Sequence, residues 1–391
     1  MYFARLAAVA LFIAAASAFI PAALLWDFMY SNLYTGFMVA AAVTVFGIVL
    51  CSKLIGSVRP IIPICVIAVT SVFFSFFTPA AGAVIPIFFC LSALSAYLVR
   101  EKFSLLVLTA GIVGAAAAVL LTGDIFSAPL SLIFIPVAFT LHFLFKKGKQ
   151  RVSSVCTLSF VLGAPMVALF LVFLFVSEGG LSLEIVKNFF TSLREGFIKG
   201  LSDTLVEASK QAGATAEIIS SADATAAMTA VVSAAFNLLP ALFIIALFVA
   251  TFLIHSLYIS MIEPTVEDKK EITNAITFKM SLASAIFFLL SFAAALILQK
   301  KEPQFSVAAQ NIYTILYPGL TMITFAFLGS HKKGEAASCL PSLLYMLLFA
   351  LLIFFTDIAL LVASIAGSVI IIISEISKRK KNDSQNDDLN R

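Results

Sequence analysis

Charged residues are scarce in this chain: they make up 12% of its 391 residues, about half of the share in soluble domains. Tryptophan occurs once, against 39 phenylalanines, while hydrophobic residues make up 61% of the chain. The mean hydropathy is +1.08. So little polar surface excludes a soluble enzyme, a nucleic-acid-binding module and a disordered scaffold. The composition predicts an all-α protein, a polytopic bundle of transmembrane helices.

Catalytic and metal-binding motifs are also missing. The sequence contains no G-x-x-x-x-G-K-[ST], which excludes a P-loop ATPase, and neither H-E-x-x-H nor G-x-S-x-G. Three histidines are too few for a histidine-based metal site, and none of the five cysteines has C-x-x-C spacing. The net charge of +4 is too small to imply a polyanionic partner. We therefore expect no enzyme activity, no cofactor, no metal and no nucleic-acid partner.

Long apolar runs account for most of the chain. A membrane-spanning helix needs about 20 apolar residues, each rising 1.5 Å along the axis. The runs are Phe3–Trp26, Leu33–Ser52, Pro60–Thr78, Gly82–Val99, Phe103–Thr122, Phe126–Phe145, Val152–Ser177, Thr229–Met261, Ala275–Gln299, Phe305–Gly329 and Ala337–Ile373. The last run is long enough for two crossings and is divided at Thr356–Asp357. We therefore predict about 12 spans, within a range of roughly 10 to 12.

The distribution of lysine and arginine predicts the orientation of these spans. With the N-terminus in the cytoplasm, nineteen of the 25 basic residues lie in cytoplasmic segments, as the positive-inside rule requires. Lys300 and Lys301 lie on the disfavoured side. The triplet Ala16-Ser17-Ala18 is also typical of signal-peptide cleavage, but the apolar run continues to Trp26 and makes a full span. We expect a multi-pass membrane protein with both termini cytoplasmic.

The runs divide the chain into five predicted segments. Residues 1–151 form a six-helix half, 152–177 a connecting span, 178–228 an extracytoplasmic segment, 229–377 a C-terminal bundle and 378–391 a disordered cytoplasmic tail. Within the external segment, apolar residues recur every four positions from Ile185 to Leu205. This spacing predicts an amphipathic helix, which either lies in the membrane interface or caps the bundle.

Polar residues inside apolar runs are the candidates for a ligand site, because burying such groups in lipid is costly. Asn237 and His255 lie in one run, Asn311 lies in another, and Asp357 divides the last. A structural histidine is the alternative for His255, and a solvated turn is the alternative for Asp357. The triplet Tyr317-Pro318-Gly319 predicts a break in the helix that contains Asn311, and broken helices line binding sites in transporters.

Small residues spaced by four mark one side of the first run. They are Ala4 and Ala8, and then Ala10, Ala14 and Ala18. Such spacing lets two helices approach closely in a membrane. It predicts a partner-helix contact, and the partner is either another helix of this chain or a second membrane subunit.

Three stretches carry a resemblance to a known family. They are Phe236–Leu242, Asn311–Leu320, and the final pair of spans with its division at Asp357 and its basic end. Together they resemble the YybS-like family, bacterial membrane proteins built on a domain of unknown function. The external segment is longer than that family's layout, so the resemblance leaves it unassigned.

The first six runs are similar to the S-component of energy-coupling-factor transporters. The alanine face of the first run is similar to the motif with which such a helix contacts its coupling subunit. The resemblance implies a membrane-embedded binding or transport role with no established substrate. The same six-helix fold is thought to include a cell-shape determinant, which keeps a non-transport role open.

These observations predict a small-molecule binding or transport component that lacks its own ATPase. Its partners would be the lipid bilayer, a small-molecule ligand and, through the first helix, other membrane subunits. The alternative is a scaffold or assembly protein of the cell envelope. A closed, polar-lined cavity would favour the first hypothesis, and a filled bundle would favour the second.

Overall fold

The computed structural model describes residues 2–25, 58–75, 79–211, 220–330 and 357–389, with single positions between 38 and 56. This described part is helical and contains no strand, which confirms the all-α prediction. Seven of its helices are long and apolar enough to cross a membrane, and two shorter apolar helices accompany them. Most of the run Leu33–Ser52 and all of 337–356 lie outside the described residues. The count of 12 spans therefore stays a prediction.

The helices follow one another with short connections, and the predicted spans 82–99, 103–122 and 152–177 each match one of them closely. In chain order they are α1 (Tyr2–Leu25), α2 (Ile61–Ser75), α3 (Pro79–Arg100), α4 (Ser104–Thr122), α5 (Ser127–Leu132), α6 (Phe134–Lys146), α7 (Arg151–Ser177), α8 (Leu183–Gln211), α9 (Ser221–Asn237), α10 (Leu239–Ile262), α11 (Lys269–Ile276), α12 (Leu282–Leu298), α13 (Pro303–Ser330) and α14 (Asp357–Leu389). A short 3-10 turn, Glu263–Thr265, follows α10.

The chain folds into two compact units. The first unit comprises residues 1–166 and 246–279, and the second comprises 167–245 and 280–391. The predicted half 1–151 therefore lies within the first unit, which also takes in the second half of α10 and α11. The predicted external segment 178–228 and C-terminal tail belong to the second unit.

The core of the first unit lies where α1, α3, α4 and α6 meet. Val9, Ile13, Leu91, Leu94 and Phe134 are buried there. Helix α3 is buried around most of its circumference, as expected for a helix that is apolar on every side. It packs against α1, α2 and α6 and holds the unit together.

The alanine face of α1 divides into an exposed and a buried part. Ala4 and Ala8 are exposed, while Ala10 and Ala14 pack on the core and Ala18 is buried. The helix opposite Ala14 is α4, and a Cβ atom added at Gly114 would lie 2.7 Å from the carbonyl oxygen of Ala14. Helix α4 of the same chain thus occupies the groove at Ala14, and only glycine permits that approach.

The second unit is built around α12, α13 and α14. Four aromatic rings, those of Phe288, Phe292, Tyr313 and Tyr317, pack together with centroid distances of 5.4 to 6.4 Å. Gly367 brings α14 close to α13, because a Cβ added there would lie 2.9 Å from Thr324 Oγ1. This unit also contains α8, which packs on α9.

The predicted amphipathic helix is confirmed as α8, but its apolar face is only partly covered. The Phe189 ring packs on Phe170 at 5.4 Å between centroids, and the Phe197 ring packs on Phe236 at 6.0 Å. Phe197 nevertheless remains 51% exposed and Leu201 44% exposed. A half-exposed apolar stripe of this kind suits a helix at a membrane interface.

The predicted break at Pro318 is wrong, because α13 continues through Pro318 and Gly319 without interruption. Ending a helix exposes four carbonyl groups, and in apolar surroundings no water replaces their hydrogen bonds. The proline costs one bond, whereas a break would cost several. The missing side chain of Gly319 serves packing, since a Cβ there would lie 2.5 Å from Met280 Sδ.

The described part of α14 starts at Asp357 and residues 331–356 lie outside the described residues, so the division of the final run at Thr356–Asp357 stays a prediction. The side chain of Asp357 lies outside the described residues. Helix α14 then continues to Leu389, through most of the tail for which the composition predicts disorder. Each residue added to an existing helix gains a hydrogen bond without a new nucleation cost, which accounts for the extension.

The contact between α1 and α4 generates a prediction for Ala14. Ala14→Leu should lower the stability of the protein by about 1–3 kcal/mol, because the added carbons overpack the groove that α4 fills. Ala8→Leu is the matched control, since Ala8 is exposed, and a surface change of this kind stays within about 0.5 kcal/mol. The measurement is the melting temperature in mild detergent, and equal values for both variants would contradict the packing.

Candidate functional site

The part of α10 in the first unit carries three buried side chains with polar atoms, Thr251, His255 and Tyr258. His255 is 3% exposed and Tyr258 is 0% exposed, and they lie three residues apart on the same side of the helix. The Tyr258 ring meets the Phe145 ring of α6 edge-on, with 5.9 Å between centroids. Thr251 is hydrogen-bonded to Ser159 and to its own helix, so His255 and Tyr258 are the two that need a partner.

Neither group has a hydrogen-bond partner among the residues that the structure describes. Nδ1 of His255 and the hydroxyl of Tyr258 are both enclosed and unpaired. Leaving a buried donor or acceptor unpaired costs about 1–3 kcal/mol. Water or a ligand normally satisfies such atoms in native proteins. This pair marks the candidate ligand site.

A cleft of about 370 Å³ opens at the C-terminal end of α10. Its lining residues are Arg100, His142, Phe145, Lys146, Thr265, Val266, Glu267, Asp268 and Glu271. Phe145 thus contacts Tyr258 and also lines the cleft.

The two sides of the cleft carry opposite charge. The basic side comes from Arg100 at the end of α3 and Lys146 at the end of α6, and the acidic side comes from Glu267, Asp268 and Glu271. His142 also lines the cleft, and its Nδ1 is buried and unpaired within the described residues. Such an arrangement can hold a small molecule that carries both a positive and a negative group.

Two contacts fix the segment that follows α10. Arg100 Nη1 donates to Thr265 Oγ1 at 2.7 Å. Arg59 and Glu263 form an ion pair at 2.9 Å, with both side chains partly exposed to solvent. An exposed pair contributes up to about 1 kcal/mol, so it orients this segment more than it stabilises the unit.

Asn311 forms a second polar arrangement, in the second unit. In an unbroken helix the amide of Ala241 would bond to the carbonyl of Asn237, four residues earlier. Here the Asn311 side chain from α13 lies between them: Oδ1 accepts from Ala241 N at 3.0 Å, and Nδ2 donates to Asn237 O at 2.8 Å. Nδ2 also donates to Val307 O at 2.9 Å.

This insertion separates α9 from α10 at Leu238. Pro240 supplies the cause, because it has no N–H and its ring clashes with the carbonyl four residues earlier. The sequence treats Thr229–Met261 as one span, and the structure divides it there. A side chain that enters the backbone ladder is a recognised cause of helix kinks.

Of the four predicted ligand residues, the structure brings Asn237 and Asn311 together. Their contact runs through the backbone of Asn237 and completes the protein's own hydrogen bonds. His255 belongs to the first unit, whereas Asn237 and Asn311 belong to the second. The role of Asn311 in the fold is visible, and a ligand role for any of the four stays a prediction.

Several residues of the candidate site escaped the sequence analysis. Tyr258 follows His255 by one helical turn and carries the only other unpaired polar atom on α10 within the described residues. Arg100 and the acidic trio are separated in sequence by more than 160 residues and meet only in the fold. The spacing of Tyr258 and His255 could have been recognised in the sequence. Nothing in the sequence indicates that the opposite charges of the cleft meet.

Comparisons with protein-family models, with curated proteins and with solved structures find no match. The resemblance to the YybS-like family and to the S-component therefore stays a prediction.

Asn311 allows a direct test of the arrangement at Leu238. Asn311→Leu should lower stability by about 1–3 kcal/mol, because the amide of Ala241 and the carbonyl of Asn237 lose their partner. Gln310→Leu is the matched control: Gln310 is the neighbouring amide, half-buried, and its side chain makes no hydrogen bond within the described residues. Thermal unfolding in detergent measures both, and a similar loss for Gln310→Leu would show that Asn311 is not specific.

Proposed function

We propose that this chain is a membrane-embedded component that binds or transports a small molecule and has no ATPase of its own. The observation that carries the proposal is the enclosed, unpaired pair of His255 Nδ1 and the Tyr258 hydroxyl. Both belong to a helix that is long and apolar enough to span a membrane. Polar groups at such a depth are costly and are commonly kept for a ligand or ion pathway.

The cleft beside this pair supports the same function. Its opposed charges suit the ends of a dipolar molecule, and its volume of about 370 Å³ suits a ligand of modest size. Phe145 lines this cleft and meets the Tyr258 ring edge-on, so a ligand in the cleft would lie next to the residue that packs on Tyr258.

A scaffold or assembly protein of the cell envelope is the alternative function. The exposed half of the alanine face, Ala4 and Ala8, favours it, because small residues at that spacing admit a helix of another subunit. The two hypotheses predict different binding partners. A scaffold needs a protein partner at this face, whereas a binding component needs a small molecule near Tyr258.

The proposal places the chain in the bacterial cytoplasmic membrane with both termini in the cytoplasm. The support is the excess of lysine and arginine in alternate loops. In this orientation the charged cleft faces the cytoplasm and α8 lies on the outer side. A ligand would then enter or leave the site through the cytoplasmic cleft.

Tyr258→Phe separates a ligand role from a structural one. The hydroxyl has no partner within the described residues, so its removal should leave the ligand-free melting temperature unchanged or raise it. The same change should strongly reduce the small-molecule mass that remains bound to the protein after purification in mild detergent. Native mass spectrometry measures that occupancy.

Ser159→Ala is the matched control for this test. The Ser159 hydroxyl is buried and hydrogen-bonded to Thr251 Oγ1 at 2.8 Å and to Val155 O at 2.8 Å. Its loss should lower the melting temperature and leave the bound mass unchanged. If Tyr258→Phe destabilises the protein and keeps full occupancy, or if the wild-type protein carries no small molecule and a tightly bound protein instead, the scaffold is favoured.

Single introduced cysteines test the proposed orientation. In a background with the five native cysteines replaced by serine, Lys199→Cys on α8 should react with an impermeant maleimide on whole cells. Lys149→Cys, before α7, should react only after permeabilisation, because one span separates the two exposed positions. Labelling of both from the same side would contradict the orientation.

A further inference from the structure

Arg151, the first residue of α7, is a half-buried cation with no acidic partner among the residues that the structure describes. Its guanidinium lies over the Phe252 ring of α10, 4.0 Å from the centroid, and donates a hydrogen bond to Ser256 Oγ. Its Nε is enclosed and unpaired among the described residues. The ion pair of Arg59 with Glu263 shows that this unit does pair other arginines.

No carboxylate near Arg151 in the sequence can neutralise it. From Ile125 to Ser177 the chain contains no Asp or Glu, while Lys146, Lys147, Lys149 and Arg151 fall within six positions. Lys146 lies in the cleft that contains Glu267, Asp268 and Glu271. Lys147 and Lys149 are exposed, and the Lys147 ammonium lies over the Phe143 ring at 4.3 Å.

The N-terminus of α7 adds to the positive charge of these four basic residues. The first amides of a helix have no partner within it, and the dipole of a long helix is positive at that end. Here the amide of Ser154 is the first to bond backward, to Gln150 O at 3.0 Å. The preceding amides and the Arg151 side chain both belong to the first turn of α7, and their N–H groups are of the kind that bind the oxygens of a phosphate.

We propose that Arg151, the first turn of α7 and the exposed Lys147 and Lys149 bind the phosphate group of an anionic membrane lipid. A lipid is favoured over a soluble anion because Arg151 begins a helix that is long and apolar enough to span a membrane. That position lies at the level of the headgroups, while Phe160, 74% exposed and farther along α7, is available to acyl chains. Basic clusters at such positions attract anionic lipids.

This inference is independent of the small-molecule site at Tyr258. Arg151→Gln removes the charged fork, and Arg151→Lys keeps the charge but loses the paired donors. The matched control is Arg5→Gln, since Arg5 is an exposed arginine of α1. A double variant, Lys147→Gln with Lys149→Gln, leaves Arg151 and its packing untouched and therefore reports on binding even if Arg151→Gln unfolds.

The experiment is native mass spectrometry of the full-length protein titrated with phosphatidylglycerol, phosphatidylcholine or inorganic phosphate. The wild-type protein should bind phosphatidylglycerol several-fold more tightly than phosphatidylcholine. Arg151→Gln should weaken that binding about tenfold, and Arg151→Lys and the double lysine variant should weaken it less. Arg5→Gln should bind as the wild-type protein does.

A second readout separates binding from a structural effect. Phosphatidylglycerol should raise the melting temperature of the wild-type protein and of Arg5→Gln, and it should not raise that of Arg151→Gln. Equal affinity for the two lipids, or unchanged phosphatidylglycerol binding in Arg151→Gln and in the double lysine variant, would overturn the proposal. Full displacement of the lipid by millimolar inorganic phosphate would overturn the lipid as the source of the phosphate.

Discussion

The requirement that every polar group in a lipid-embedded helix find a partner inside the protein governs this structure. It explains why α13 passes through Pro318 intact, since a helix end there would expose carbonyl groups to an apolar surrounding. It also explains the insertion of Asn311, which supplies a donor and an acceptor where Pro240 has divided two helices. By the same rule, a buried polar atom without a hydrogen-bond partner indicates a place where a partner from outside the chain can bind.

The sequence predicted the helices far better than their interruptions. Apolar runs of adequate length are a direct consequence of the bilayer's thickness, so α3, α4 and α7 could be read from composition alone. Two proline sites, Pro240 and Pro318, were equally visible. Only the first interrupts its run, because Asn311 from a distant helix reaches the groups that it exposes. That difference depends on a tertiary contact 70 residues away.

The candidate site was predicted in part, and for a physical reason. A histidine inside an apolar run is conspicuous, and His255 is indeed buried with an unpaired nitrogen. Whether such a nitrogen has a hydrogen-bond partner depends on which residues surround it in the fold, and a single sequence does not show this. Asn311 looked equally functional, yet its three hydrogen bonds all serve the backbone and its own helix. The contrast between the two residues is visible only once partners are assigned.

Buried hydroxyls are paired in both units: Ser159 with Thr251 at 2.8 Å in the first, and in the second Thr321 with Ser364 at 3.1 Å, Thr324 with Ala363 O at 2.6 Å, and Ser306 with Ala295 O at 2.9 Å. Enclosed polar atoms without a partner are nevertheless distributed unevenly between the units. In the described part of the chain, seven side chains carry an enclosed unpaired polar atom, and six belong to the first unit. They are Ser92, Ser95, His142, Arg151, His255 and Tyr258.

Both units are made of the same apolar helices, so a tolerance for unpaired groups would leave such atoms in both. Each one costs about 1–3 kcal/mol, and several together approach a sizeable part of a typical folding free energy of about 5–15 kcal/mol. Such atoms are tolerated where a bound group from outside the chain supplies the missing hydrogen bonds. Water, a small molecule or a lipid phosphate can do so, and this is the physical basis of both proposals for the first unit.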